Sequence, residues 1–223
     1  TSLDDRVREA VDTIGQAVRD FAPVAFASSL SAEDMVLLDL ISASTLDIDV
    51  FTLDTGRLNP ETHDLLAAAA TRYDLPLNIY TPQAGPLERF VGDHGTNAFY
   101  DSVEQRQACC EIRKIAPLRR ALDGKKSWIT GQRRQQSVTR SAIGLSEWDS
   151  ANALQKFNPL AFWSRTDVWA YIKQHAVPYN RLHDEGYASI GCAPCTRPIT
   201  VGEDERAGRW WWETPDTKEC GLH

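Results

Sequence analysis

The sequence predicts an α/β protein built on a parallel sheet flanked by helices. Three observations carry this expectation. Short apolar runs at 24–29, Ile48–Leu53, Leu77–Tyr80 and 127–130 read as strands. They alternate with stretches of helical periodicity, and parallel strands need such crossovers. The chain has 223 residues, 42% of them hydrophobic and 25% charged, enough to bury the core of one α/β domain. No internal repeat or composition shift divides it, so residues 1–223 are read as a single domain.

Residues 3–20 place Leu3, Val7, Ala10, Ile14, Ala17 and Val18 at helical spacing, which predicts a first helix. The strand 24–29 follows, then a helix over 32–41. Ile48–Leu53 is the second strand and 60–73 its helix, with Pro60 in the first turn, where a missing N–H is tolerated. Leu77–Tyr80 is the third strand. A helix over 112–122 leads to the fourth, 127–130, and another helix spans 166–174 with Asp167 in its first turn. From Tyr179 onward Gly, Pro and charged residues dominate, and no regular element is predicted. Open parallel sheets bind ligands outside the carboxyl ends of their strands. The loops 28–34, 54–57 and 131–134 should therefore meet at one site.

The net charge of −7 argues against a broad basic face and against a nucleic-acid partner. An anionic ligand must be met by a local group of Arg and Lys. No apolar run approaches the ~20 residues of a membrane span. Residues 1–20 mix acidic and basic side chains and contain no signal-peptide-like apolar run. A cytoplasmic location is expected, where five cysteines serve metal binding or catalysis rather than disulfides. The oligomeric state is left open, and a homo-oligomer is compatible with the sequence.

The loop Ser28-Ser29-Leu30-Ser31-Ala32-Glu33-Asp34 joins a strand to a helix, so its amides and hydroxyls could face an anion at the helix N-terminus. Ser31 with Asp34 also reads as a capping box. Neither a Walker motif nor a dinucleotide fingerprint is present. In Leu53-Asp54-Thr55-Gly56-Arg57, Thr55 and Gly56 suit close approach of a ligand and Arg57 suits an anion, although a simple strand-to-helix turn would look the same. Arg133 and Arg134 follow the fourth strand and suggest a phosphate or sulfate clamp, since guanidinium binds such groups in a two-pronged manner.

Four cysteines form two close pairs, Cys109-Cys110 and Cys192-x-x-Cys195. Soft thiolates select zinc or iron–sulfur. Structural zinc usually spaces its near cysteines by two to four residues, which the adjacent pair does not satisfy. A 4Fe-4S cluster accommodates neighbours more easily and is the favoured reading, with zinc the alternative and two disulfides the least favoured. Lys114 follows Cys110 by four residues and could bring a cation to both a cluster and a substrate anion. Arg206 and Arg209, three apart, would point the same way within a helical turn, and Trp210-Trp211-Trp212 are expected to pack the entry of the tail. The fifth cysteine, Cys220, lies near the end of the chain beside Lys218, whose charge favours the reactive thiolate. A thiol on a movable tail could react in a cleft and then meet a second protein.

With these residues in view, the chain resembles the assimilatory sulfonucleotide reductases, specifically the iron–sulfur branch that reduces adenylyl sulfate. The resemblance runs from about Ser28 to His223. It rests on Cys109-Cys110-Glu111-Ile112-Arg113-Lys114, on Gly191-Cys192-Ala193-Pro194-Cys195-Thr196-Arg197-Pro198, on the segment 202–210, and on the terminal 218–223. The 28–34 loop looks like a modified pyrophosphate loop of the adenine nucleotide alpha hydrolase-like fold. It lacks the glycine pair of the ATP pyrophosphatase relatives.

The resemblance implies one sulfonucleotide reductase domain with a mobile active-site tail at about 205–223. It implies one 4Fe-4S cluster on Cys109, Cys110, Cys192 and Cys195, and Cys220 as the nucleophile that takes up an S-sulfonate. Adenylyl sulfate would be bound by Ser28, Ser29, Ser31, Leu53, Asp54, Thr55 and Gly56. Its phosphosulfate would be held by Lys114, Arg206, Arg209 and one or both of Arg133 and Arg134, with His223 close by. Thioredoxin or a similar dithiol would release sulfite, leaving AMP as the other product and serving cysteine biosynthesis. Two alternatives stand beside this reading. One is a reductase that takes the 3′-phosphorylated substrate, or both substrates. The other is a non-catalytic metal or redox-sensing module, which would leave the arginines and the cleft without a role.

Overall fold

The structure, a computed structural model, describes residues 2–136, 140–214, 217 and 218. Its frame is a six-stranded sheet of order β3-β2-β1-β4-β6-β5. The strands are β1 (Val24–Ala27), β2 (Ile48–Leu53), β3 (Leu77–Tyr80), β4 (Ser127–Ile129), β5 (Ser146–Asp149) and β6 (Leu154–Phe157). Five strands run parallel. β5 pairs antiparallel with β6 at the edge, so the expected parallel sheet is mixed.

The register explains the two-sided core. Val24 pairs with Ile48 and Ser127, and Phe26 with Val50 and Ile129. Because strand side chains alternate in direction, Val24, Phe26, Val50, Ile129 and Phe157 share one face. They pack with α1 (Leu3–Phe21), α2 (Ala32–Ser42) and α7 (Arg165–His175). Ala25, Phe51, Trp128 and Leu154 point the other way, onto Leu118, Ala121 and Leu122 of α6 (Ala116–Leu122). A strand buried on both faces reads as a continuous apolar run, which made β1, β2 and β4 visible in the sequence, whereas β6, interrupted by Gln155 and Lys156, was not expected.

α3 (Pro60–Arg72) begins at its proline, as expected. Two helices were not expected, α4 (Ala84–His94) and α5 (Val103–Cys110). The helix expected over 112–122 is two elements, a π-helical turn at Glu111–Ile115 followed by α6. Such turns replace the usual bonding with i→i+5 bonds and frequently occur at functional sites. This one lies between the cysteine pair and α6. Short 3₁₀ turns at Arg181–Glu185 and Ala193–Cys195 give order to the region read as irregular.

β1, β2 and β3 extend the sheet to one side, whereas β4 lies on the other side of β1. The point where the strand order reverses is the gap between β1 and β4, and there a doubly wound sheet opens a crevice at its carboxyl end.

Candidate active site

A cleft opens at that switch point. Its walls include Ser28 and Leu30 after β1, Leu53 and Thr55 at the end of β2, and Gln132 after β4. Lys114, Arg140, Arg206 and Arg209 supply its cations.

The β1 loop is held by its own carboxylate. Ser31 caps α2 by accepting from the Asp34 amide at 3.3 Å. Asp34 does not bond the Ser31 backbone amide, so the capping box is left half-made. The Asp34 Oδ2 accepts instead from the Ser29 amide at 2.7 Å and the Ser29 hydroxyl at 2.6 Å. Ser29 lines the cleft, with its amide and hydroxyl protons already engaged by Asp34. Burial pushes the Asp34 carboxyl up to about 6, against the pull of its Ser29 bonds. The β4 loop packs so tightly on this turn that a Cβ at Gly131 would collide with Asp34, so only glycine fits.

The adjacent arginines do not clamp the cleft. Arg133 is completely buried and pairs with Glu33 at 2.7 Å and Glu205 at 2.9 Å. Arg134 donates to the Ile143 carbonyl at 2.5 Å and lies 4.4 Å over the Phe162 ring. Neither lines the cleft. A buried guanidinium next to two carboxylates is neutralised within the fold, which corrects the clamp expectation for both residues. The cleft cation on this loop is Arg140, seven residues beyond Arg133, with Gln136 accepting from its Nη1 at 2.6 Å. Asp54 and Gly56 also turn aside: Asp54 accepts from the Gly56 amide at 2.9 Å and faces His63 at 3.3 Å. Arg57 donates to the Thr96 carbonyl and Asn97 rather than into the cleft.

Lys114, Arg206 and Arg209 do line it. Arg209 threads a gap beside Gly191, where a Cβ would collide with the guanidinium, and it lies 4.7 Å over the Trp210 ring. Arg106 lies 4.8 Å from the same ring and is paired with Glu213 at 2.8 Å. Trp210 is fully buried between them. It packs with the cysteines, which matches the expected packing role of the tryptophans, while Trp211 stays partly exposed.

Cys109, Cys110, Cys192 and Cys195 all line one small apolar cavity with Phe99 and Trp210. All four are free thiols. Lys114 borders both this cavity and the cleft, so one ammonium faces both. The Thr55 hydroxyl lies 3.2 Å from Cys192 Sγ and makes a second link. Burial disfavours the Cys192 thiolate, but Lys114, the Thr55 hydroxyl and Arg209 outweigh it and hold the thiol below its usual range. Burial, with the Cys192 charge added, pushes the Cys195 thiol up to about 12. Among the described residues, no three His, Cys, Asp or Glu side chains are arranged to hold a single metal ion. Four free thiols around one cavity are a soft donor set of the kind that binds zinc or an iron–sulfur cluster.

Two expected site residues, Cys220 and His223, lie outside the described residues. The sequence reading missed Gln132, Arg140, His183 and Glu205, all of which line the cleft. Nothing in their local sequence marks them, because they meet only through the sheet topology.

Fold and cleft together define an α/β protein of the adenine nucleotide alpha hydrolase-like class. Yeast FAD synthetase shares that fold at 16% identity, with a TM-score of 0.56 over 89% of this chain and 69% of that one. The chain belongs to the phosphoadenosine phosphosulfate reductase family, whose domain profile, described as "Phosphoadenosine phosphosulfate reductase domain", matches residues 23–198. The adenosine 5′-phosphosulfate reductase of Allochromatium vinosum is 53% identical over 222 residues, covering 100% of this chain and 87% of that protein. The protein of the same name from Neisseria meningitidis is 48% identical over 100% of this chain and 91% of that one. A crystal structure of phosphoadenylyl-sulfate reductase from Candida auris, in a phosphate complex, superimposes with a TM-score of 0.75 at 29% identity, over 87% of this chain and 96% of that one. Among the described residues, no helix is long and apolar enough to cross a membrane.

Proposed function

We propose that this chain reduces adenylyl sulfate to sulfite and AMP, with Cys220 as nucleophile and thioredoxin or a similar dithiol as reductant. The observation that carries the reading is the position of Lys218. Its carbonyl lies 3.3 Å from Nη2 of Arg206, which lines the cleft. Cys220 is two residues further on, within roughly 7 Å of backbone reach from Lys218.

The adenylyl group enters at the β1/β4 switch point, and Lys114, Arg140, Arg206 and Arg209 hold the phosphosulfate. These cations align the sulfur for attack and stabilise charge on the departing phosphate. The Cys220 thiolate attacks sulfur, the bond from sulfur to the bridging oxygen breaks, and AMP leaves with the electron pair. A thiolate of the dithiol then attacks Cys220 Sγ and expels sulfite with the electrons of the S–S bond. The second thiol resolves the mixed disulfide and regenerates Cys220. Both electrons come from the dithiol.

Cys109, Cys110, Cys192 and Cys195 would hold a 4Fe-4S cluster, which supplies an electrostatic and organising centre beside the anion site when bound. Preference for adenylyl sulfate over its 3′-phosphorylated relative is supported by relatives named for the former at 53% and 48% identity, against 29% for the phosphoadenylyl-sulfate reductase.

The test is Cys220→Ser. The protein should fold, keep iron and bind AMP, yet release no sulfite. Wild-type enzyme given adenylyl sulfate without reductant should gain the mass of SO₃ on Cys220. Normal turnover by the variant would show that the chemistry runs elsewhere.

A further inference from the structure

His183 stands in the 3₁₀ turn Arg181–Glu185 and lines the cleft. Its ring is fixed from several sides. Asn180 caps the turn by accepting from the Leu182 amide at 3.1 Å, and donates to Thr62 of α3 at 3.0 Å. Trp169 packs against the imidazole edge-to-face, with centroids 5.2 Å apart. Nδ1 lies 2.7 Å from the Tyr187 carbonyl oxygen. A carbonyl only accepts, so Nδ1 carries the proton and Nε2 carries a lone pair. Nε2 is buried and has no hydrogen-bond partner among the described residues. Burial holds the imidazole below its usual range, and Arg165 adds to this, while the Tyr187 carbonyl, Glu33 and Asp184 pull the other way. The ring is therefore a neutral acceptor with an unmet lone pair on a residue that lines the cleft, and such an atom is costly unless a ligand or a water supplies a donor.

An adenylate offers three donors: two ribose hydroxyls and the 6-amino group. The Tyr187 carbonyl holds His183 Nδ1, and two residues further along the same segment the Ser189 hydroxyl accepts from Nη1 of the cleft residue Arg209 at 3.3 Å. His183 thus lies toward the anion-binding end of the cleft, and the ribose is the part of the nucleoside attached to the 5′-phosphate.

We propose that His183 Nε2 accepts a hydrogen bond from a ribose hydroxyl of the bound nucleotide, making it a specificity residue for the sugar. The proposal rests on the reading of the cleft as an adenine-nucleotide site. A 3′-phosphate removes the 3′-hydroxyl donor and brings acceptor oxygens to a neutral acceptor, so a contact at the 3′-position would also disfavour the 3′-phosphorylated substrate.

Anaerobic calorimetric titration of the full chain with AMP, 2′-deoxy-AMP, 3′-deoxy-AMP and purine riboside 5′-monophosphate tests this. In the wild type one deoxynucleotide should bind about tenfold more weakly than AMP, as expected for a buried acceptor left unpaired. His183→Ala should remove that difference, and His183→Gln, which returns an acceptor, should restore part of it. The nucleotide lacking the 6-amino group should lose the same factor in wild type and variants. Equal wild-type binding of AMP and both deoxynucleotides would overturn the proposal without recourse to any variant. So would a deoxy penalty that survives in a folded His183→Ala, or a His183 dependence seen only with the nucleotide lacking the amino group. Absence of AMP binding to wild-type protein would instead defeat the nucleotide-site reading beneath it.

Discussion

Arg133 Nη2 lies 2.9 Å from Glu205 Oε1, and this buried contact ties the loop after β4 to the segment that presents Arg206 and Arg209. The other side of the same guanidinium pairs with Glu33 in the first turn of α2 at 2.7 Å. One side chain thus joins three walls of the cleft. Burial penalises both carboxylates, and the Glu33 carboxyl still falls below its usual range because Arg133 outweighs that cost. For Glu205 burial wins over Arg133, and its carboxyl is raised.

Arg133→Met should therefore be much more damaging than Glu205→Gln. Removing the guanidinium leaves the buried Glu33 and the half-buried Glu205 uncompensated, a loss on the order of 3–5 kcal/mol. Glu205→Gln leaves Arg133 paired with Glu33 and should cost about 1–2 kcal/mol. Anaerobic urea unfolding of both variants measures this. Equal midpoints would mean that the pair contributes no specific cohesion.

Arg140 and Arg134 should separate by function. Arg140→Ala, like Arg206→Ala or Arg209→Ala, removes a cation at the cleft and should lower kcat/KM for adenylyl sulfate by about 1.5–3 kcal/mol. Arg134→Ala loses only its contacts to the Ile143 carbonyl and Phe162, so kcat/KM should stay near wild type. The reverse ranking would return the clamp to the adjacent arginine.

The contrast shows where the sequence ceases to inform. β1, β2 and β4 were legible because strands buried in a parallel sheet form apolar runs, β3, at an edge, because Leu77, Ile79 and Tyr80 favour a strand, and α3 because its proline marks its start. α4 was hidden by Gly85, Pro86 and Gly92, which interrupt a helical pattern that buries only Phe90. β5 was hidden by its position: an edge strand of two exposed and two half-buried residues carries little apolar signal. The cysteines, Lys114, Arg206 and Arg209 stood out in the sequence by type and spacing, and they line the cleft and the cavity beside it. Arg133 could not be separated from Arg140 in this way, since both are arginines in a polar loop and only tertiary packing buries one of them. The neutral acceptor of His183 is still further from the sequence, because it depends on where the Tyr187 carbonyl lies.

The cysteine cavity makes a cofactor prediction that does not depend on turnover. Anaerobically purified protein should carry about four irons and four sulfides per chain. Cys192→Ser should lose both, because the hydroxyl is a poor substitute for a soft thiolate. Metal and sulfide analysis with the visible spectrum reads the result, and a protein isolated with zinc alone would refute the cluster.

Asp34 supplies a pH prediction of definite sign. Its folded-state pKa is raised from 3.8 to about 6, mainly by burial. Above pH 6 the folded protein holds a buried carboxylate, and the unfolded chain pays no such penalty. Between roughly pH 4 and 6 the folded state binds the additional proton, so the contribution of this group to stability falls as pH rises through that window. A shift of about two units corresponds to about 3 kcal/mol at most. Asp34→Asn can keep an acceptor for Ser29 while abolishing the titration. Its stability relative to wild type should therefore be greater at pH 7.5 than at pH 4.5 by up to that amount, measured by anaerobic urea unfolding at both pH values. A constant difference would mean that Asp34 titrates as an ordinary carboxyl. A variant that is more stable at neutral pH yet binds AMP poorly would show that the carboxylate is kept to shape the β1 loop for its ligand, at a cost in stability.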